Sequence, residues 1–499
     1  MHHHLNPKAL FSGRKESTSP QAHPASGSGA VSPGRPLDSS TNVEDVDELD
    51  GDGQNIIMGI IAQLRPGADL SRITLPTFIL ERKSMLERIT NSLQHPSYVI
   101  EAHATKDPVQ RFIQVVKWYH SGWHITPKAV KKPLNPILGE FFTCYWDYDD
   151  GSHGYYISEQ TSHHPPKSSY FYMIPEHHIR VDGTLAPKSR FLGNSAASLM
   201  EGATILKFLD IKDAKGLPEE YEITSPNAYA RGILFGRLKY EYCDHSIIKC
   251  PALDLTLDLD FKAKGFISGT YNAFEGQIKR ISTGEALYDV YGKWDEIIEL
   301  KNLKTGEKSV LFDVAKAALH PPKVRPIAEQ AATESRRLWE PVTDALAKRD
   351  HTVATDEKFK IEDQQRTLAK EREEHGVKFL PKLFKPAPAP LDFILYKDLH
   401  GTPEEVTKEI LSIVPILPGQ QFTQDFELSG EKKYKLEKSG QAGDAAPTAT
   451  STAPAPQAGA APVAQAGAAA PANGQSPLAN TSDLKEALPA EEDEFHDAQ

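Results

Sequence analysis

Two short runs hold side chains suited to gripping a small anion. In Lys131-Lys132-Pro133-Leu134-Asn135-Pro136 the prolines stiffen the backbone and keep a cation, Lys132, near an amide donor, Asn135. In His163-His164-Pro165-Pro166 two imidazoles follow directly on the β-like segment Tyr155-Tyr156-Ile157. Adjacent side chains on extended backbone point to opposite faces, so the Pro-Pro pair is expected to bend the chain and aim both rings. Farther on, Lys358, Glu362 and Arg366 fall at i, i+4 and i+8 of one helix face. Taken alone, that trio reads as a solvated ladder of ion pairs worth a few tenths of a kcal/mol each. The lysine and histidine clusters both suit a phosphate monoester, whose charge of about −1.5 to −2 near pH 7 calls for cations, amides and imidazoles together.

Other chemistries find no support in the residues. A metal centre would need further His, Asp or Glu ligands at a spacing such as H-E-x-x-H, and none accompanies the His pair. Nucleophilic catalysis would need an activated Ser or Cys, yet there is no G-x-S-x-G, no Cys-centred phosphatase loop and no P-loop. Cys144, Cys243 and Cys250 cannot frame a chain of 499 residues with disulfides and are expected to be reduced and buried. The motifs point to a binding protein that is not an enzyme and carries no metal or other cofactor.

The net charge of −12 argues against coating nucleic acid or adhering broadly to an anionic bilayer, so any contact with anionic lipid must be local. No window approaches the ~18 apolar residues of a membrane span, and the N-terminus lacks a secretory pattern, so a cytoplasmic location is expected.

The elements that must position these residues lie between two low-complexity ends. Residues 1–43 are rich in Ser, Pro and Gly, and 431–499 form an Ala/Pro-rich tract with an acidic end; both are expected to be disordered. The block from 44 to 430 opens with the acidic run Glu44 to Asp50 and then Ile56-Ile57-Met58-Gly59-Ile60-Ile61, apolar on too many sides for a surface helix. This segment, about 44–75, reads either as a core helix or as a lid over a greasy cavity. Val109, Phe112, Ile113, Val116 and Tyr119 have the spacing of a one-faced amphipathic helix. Leu253 to Lys262 alternates strictly, Leu238 to Tyr242 alternates over a shorter span, and Tyr170–Ile174, Thr204–Leu209 and Leu287–Trp294 are β-like, with turns expected at Asp182-Gly183 and Thr283-Gly284. Strands in succession without helices between them predict an antiparallel meander that curls into a barrel, its interior either solid core or tunnel. Helix returns after Pro326.

At this point Glu159-Gln160-Thr161-Ser162-His163-His164-Pro165-Pro166 resembles the E-Q-x-S-H-H-P-P fingerprint of the oxysterol-binding-protein-related family of lipid-transfer proteins. Lys131 to Glu140 and the late helix from Lys358 to Gly376 resemble two further family segments in the same order. The resemblance implies an α+β fold: a near-closed antiparallel β-barrel enclosing a lipid tunnel, with an N-terminal lid and flanking helices. It also implies a rim site for phosphatidylinositol 4-phosphate, built by Lys132, Asn135, His163, His164, Lys358 and Arg366, with Glu362 as an acidic helper. The ladder on the late helix thereby becomes part of a binding site. Thr161 stands where the family commonly has Val, and Phe379 where many members have Trp.

Residues 63–78, Trp118-Tyr119 and Pro187 to Asn194 resemble the fungal subgroup that transfers phosphatidylserine. By that resemblance Leu75 touches the lipid under the lid, and Ser189 contacts the serine headgroup together with Lys132 and Asn135. Two ligands sharing Lys132 and Asn135 cannot bind at once, as an exchanger of phosphatidylserine for phosphatidylinositol 4-phosphate requires. The C-terminus resembles the acidic motif that engages VAP-type receptors of the endoplasmic reticulum, through Glu494, Phe495, Asp497 and Ala498, although His496 replaces a second Phe. A peripheral position at endoplasmic reticulum contact sites is implied.

Overall fold

The computed structural model describes residues 77–126, 131–233, 239–264 and 269–422. The expected lid (about 44–75) with Leu75, the tails 1–43 and 431–499, and the acidic terminus with Glu494, Phe495, Asp497 and Ala498 lie outside the described residues.

The chain enters through β1 (Leu80–Ser84) and a short helix α1 (Met85–Arg88), followed by α2 (Pro96–Ala104) and α3 (Pro108–Ser121). Next comes β2 (Lys132–Leu134), which lies parallel to β1, so the proline-stiffened run is a short strand and not a loop. Thirteen strands then form one sheet: β3 (Phe141–Asp147), β4 (His153–His163), β5 (Pro166–Ile174), β6 (Ile179–Phe191), β7 (Ser195–Lys212), β8 (Pro218–Ile223), β9 (Asn227–Arg231), β10 (Lys239–Cys250), β11 (Leu255–Phe261), β12 (Ala273–Arg280), β13 (Ala286–Lys293), β14 (Ile297–Asn302) and β15 (Lys308–Asp313). Spatial order follows chain order from β3 to β15 except that β9 pairs with both β7 and β10. This is the expected meander.

Curling follows from the core. Phe142 and Cys144 at one edge of the sheet share an apolar cluster with Leu311 and Phe312 at the other. A flat sheet this wide could not bring its edges to one core. The gap is sealed at β3, where Tyr145 and Lys323 exchange backbone bonds of 2.9 and 2.8 Å and Phe141 N–H donates to Thr333 at 3.2 Å. In β11 the alternation survives intact, with Leu255, Leu257, Leu259 and Phe261 buried. All three cysteines are free and buried.

Three sequence expectations fail for instructive reasons. Helix α3 buries Arg111, Val115 and Trp118 as well as most of the predicted face, because more than one of its faces is covered while Pro108 and Gln110 stay exposed; Arg111 survives burial through two 2.7 Å bonds to Glu219. Asp182-Gly183 lies inside β6 and makes no turn. Gly183 is there because a Cβ would come within 2.0 Å of the Tyr170 ring on β5. At the start of β10 the outward residue Glu241 is also buried, 3.4 Å from Arg231, so both faces are covered at that point, while Asp244, His245 and Lys249 farther along are exposed.

After the sheet, α4 (Ser335–Ala347) packs its Trp339 and Val342 on Leu80 and Leu134. Helix α5 (His351–Glu374) is capped by Asp350, which accepts from Val353 N–H at 3.0 Å, and buries only Ala354. A small hairpin, β16 (Phe384–Pro386) with β17 (Phe393–Leu395), and α6 (Pro403–Ile413) cover the outer face of β3 to β5.

Candidate phosphate-binding cleft

The fingerprint divides into scaffolding and cleft wall. Glu159 is buried and accepts from Leu383 N–H at 2.7 Å and Lys382 N–H at 2.9 Å, tying the segment before β16 to β4. Gln160 accepts from Ser168 Oγ at 2.6 Å and donates to Ser162 O at 2.9 Å. The pairing of β4 with β5 slips between Gln160 and Ser162, placing a bulge at Thr161, whose hydroxyl meets Ser169 Oγ at 2.8 Å. Bulges re-aim the side chains that follow. Ser162 Oγ donates across the hairpin end to Pro165 O at 2.7 Å, and the His164–Pro165 bond is cis. The two imidazoles stand 4.6 Å apart, edge to face, both on one cleft.

A second wall comes from the loop after β2. Buried Glu140 accepts from Ser84 Oγ (2.5 Å), Ser335 Oγ (2.7 Å), Trp339 Nε1 (2.9 Å) and Ile137 N–H (3.0 Å), clamping this loop to β1 and α4. Burial pushes its carboxyl upward, against the pull of these donors. Gly139, at φ +79, lets the loop pass the Phe379 ring, 3.2 Å from where a Cβ would stand. Asn135 is thereby held in the lining.

Helix α5 is the third wall. Lys358 Nζ donates to Glu362 at 2.5 Å, with Lys358 only 12% exposed. Arg366 does not continue the ladder; it turns to Asp363 at 3.3 Å and stacks over Phe359 at 5.2 Å. Its guanidinium is therefore only loosely engaged.

Together the walls enclose a cleft of about 990 Å³ containing Asn135, His163, His164, Lys358, Glu362 and Arg366. Lys132 is half-buried beside it on β2; burial and the Lys358 charge pull its ammonium below the usual lysine range, while Glu362 opposes them. Ser189, on β6 opposite Ser198, is not among the residues that line the cleft. Burial, then the neighbouring His164 and Arg372, bring His163 down to about 4, with the Pro136 carbonyl opposing. Among the described residues no cluster of three or more His, Cys, Asp or Glu is placed to hold a metal ion.

Several lining residues escaped the sequence reading: Lys167, Gln365, Arg372, Lys378, Lys382 and Lys385. Gln365 was findable, since it shares the helix face of Lys358, Glu362 and Arg366. The cations beyond residue 372 were not, because contacts distant in sequence, the Glu159 clamp among them, bring that segment to the cleft. Lys167 and Lys385 pair with Asp392 at 2.5 Å and Asp398 at 2.9 Å on the cleft's outer side.

Comparison with known proteins gives a consistent result. The family model described as "Oxysterol-binding protein" matches residues 59–345. Oxysterol-binding protein homolog 6 of Saccharomyces cerevisiae is 56% identical over 407 residues, covering 80% of this chain and 90% of that protein. The crystal structure of the Osh1 ORD domain in complex with ergosterol superposes with a TM-score of 0.58 at 24% identity, over 70% of this chain and 88% of that one. That of the Osh3 ORD in complex with PI(4)P, from S. cerevisiae, gives 0.52 at 21% identity, over 72% and 94%.

Proposed function

Because this chain belongs to the oxysterol-binding-protein family, whose members bind and transfer lipids and are not enzymes, we propose that it exchanges phosphatidylserine for phosphatidylinositol 4-phosphate between membranes. The observation that carries this reading is the cleft itself: two imidazoles, two amides and seven cationic side chains line it with one carboxylate, in a chain of net charge −12. That chemistry suits a phosphate monoester on an inositol ring, with Lys132, Asn135, His163, His164, Lys358 and Arg366 as its ligands and Glu362 orienting Lys358.

Phosphatidylserine is the counter-lipid, with Leu75 under the lid and Ser189, Lys132 and Asn135 at its headgroup. Sharing Lys132 and Asn135 makes occupancy exclusive, so a phosphoinositide gradient drives phosphatidylserine transport without ATP. The acidic C-terminus with Phe495 is the proposed tether to a VAP-type receptor, placing the exchange at endoplasmic reticulum contact sites.

A transfer assay tests the reading. Donor vesicles carry phosphatidylserine or sterol, and acceptor vesicles carry phosphatidylinositol 4-phosphate or none. Phosphatidylserine should move faster when the acceptor holds the phosphoinositide, and His163→Ala/His164→Ala should remove that acceleration. Sterol moving in its place would overturn the choice of lipid.

A further inference from the structure

Gln365 sits on α5 between Glu362 and Arg366, and its side chain faces two other segments at once. Its Oε1 accepts from Leu138 N–H at 2.8 Å, on the loop that carries Asn135. Its Nε2 lies 2.5 Å from His163 Nε2, at the end of β4. A backbone N–H can only donate, so the amide oxygen must face Leu138 and the amide nitrogen must face the imidazole. An amide NH₂ has no acceptor to offer. His163 Nε2 is therefore the acceptor, and the proton of the neutral ring sits on Nδ1, which is buried and makes no hydrogen bond of its own.

We propose that Gln365 is a positioning residue of the cleft: it locks His163 in the Nδ1–H tautomer while joining the three walls, and it must release Nε2 before that nitrogen can donate to a phosphate oxygen. The second half rests on the phosphate reading above. In the free protein the imidazole offers no N–H to the cleft from Nε2, so arrival of a phosphate exchanges one hydrogen bond for another. Gln365, freed, can turn its own N–H groups to the anion, since it already lines the cleft. The ring gains an Nε2 proton either by tautomer exchange or by uptake of a proton from water. Groups bearing on that ring are His164 on the hairpin, Arg372 on α5 and the Pro136 carbonyl on the loop.

Imidazole ¹⁵N shifts of the full chain, with His163 assigned through His163→Ala, test the lock without any ligand. Wild type should show Nδ1–H. Gln365→Glu keeps an acceptor for Leu138 but replaces the donor facing His163 by an acceptor, so it should move the proton to Nε2. Gln365→Met keeps the length, loses both bonds and should erase the preference. Inorganic phosphate and vesicles bearing phosphatidylinositol 4-phosphate are then titrated separately. Both should shift the His163 signals of wild type, and Gln365→Met should weaken vesicle binding about fivefold, the worth of roughly one hydrogen bond. Wild type carrying Nε2–H, or a tautomer unchanged in both variants, would overturn the lock. The predicted tautomers without response to either phosphate source would support the lock and sink the phosphate reading.

Discussion

A histidine brought to about 4 by burial is a neutral group near pH 7, which changes what His163 can contribute. An ordinary imidazole would charge below about pH 6.5. In the folded chain His163 can charge only if the anion raises its affinity for a proton. The same depression has a stability consequence. Between about pH 6.5 and 4 the unfolded chain binds the proton and the folded chain does not, so this contribution is complete above 6.5 and is lost as pH falls. By pH 5 the loss from His163 is on the order of 2 kcal/mol. His95 and His120, buried in the barrel and brought to about 4 and about 3, act in the same direction. Melting curves of wild type and His163→Gln at pH 7.5 and pH 5 should show wild type losing more stability than the variant. Equal losses would mean that His163 titrates as an exposed imidazole does.

The β4–β5 hairpin shows how much of the site is element engineering. Glu159 is the clamp between the fingerprint and the basic segment before β16. Glu159→Gln leaves one oxygen for two backbone donors and buries an amide without a partner, at a cost of about 1–3 kcal/mol. Hydrogen exchange at Lys382 and Leu383 should accelerate in that variant, and unchanged protection would remove Glu159 from this role. At Gly183 the prediction is steric. Ala would drive a methyl into the Tyr170 ring and destabilise the barrel by about 1–3 kcal/mol, measured as a lower denaturant midpoint. Tyr170→Leu in the same chain should recover part of the loss; no recovery would place the strain elsewhere. These two residues also mark what the sequence made legible. Strict alternation revealed β11, and the succession of strands revealed the meander, because both are local period-2 signals. Residue chemistry named His163, His164 and Asn135 as candidates, the family resemblance added Lys358 and Arg366, and the fold gathers all five on one cleft. Local pattern could not show that Gly183 serves a neighbouring strand, that α3 is covered beyond its apolar face, or that Arg366 abandons Glu362 for Asp363, since each depends on residues distant in sequence or on competing partners.

Across the whole molecule, charge is segregated. The chain carries −12, yet seven cationic side chains and a single carboxylate line the cleft. Attraction to an anionic bilayer is therefore local to this mouth and acts only within about a Debye length, ~10 Å at 0.1 M salt. A basic mouth favours approach with the cleft toward an anionic lipid surface. Lys378 and Lys385, which line the cleft but are not among the proposed phosphate ligands, test this. Each lysine near an anionic surface contributes about 1 kcal/mol. Lys378→Glu/Lys385→Glu should weaken binding to vesicles rich in phosphatidylserine at least tenfold at low salt. The gap from wild type should shrink as salt is raised, because screening removes what the substitutions removed. Neutral vesicles should bind both proteins alike. If the variant kept the salt dependence of wild type, the basic mouth would not orient the protein on membranes, and its cations would serve only ligands already inside the cleft.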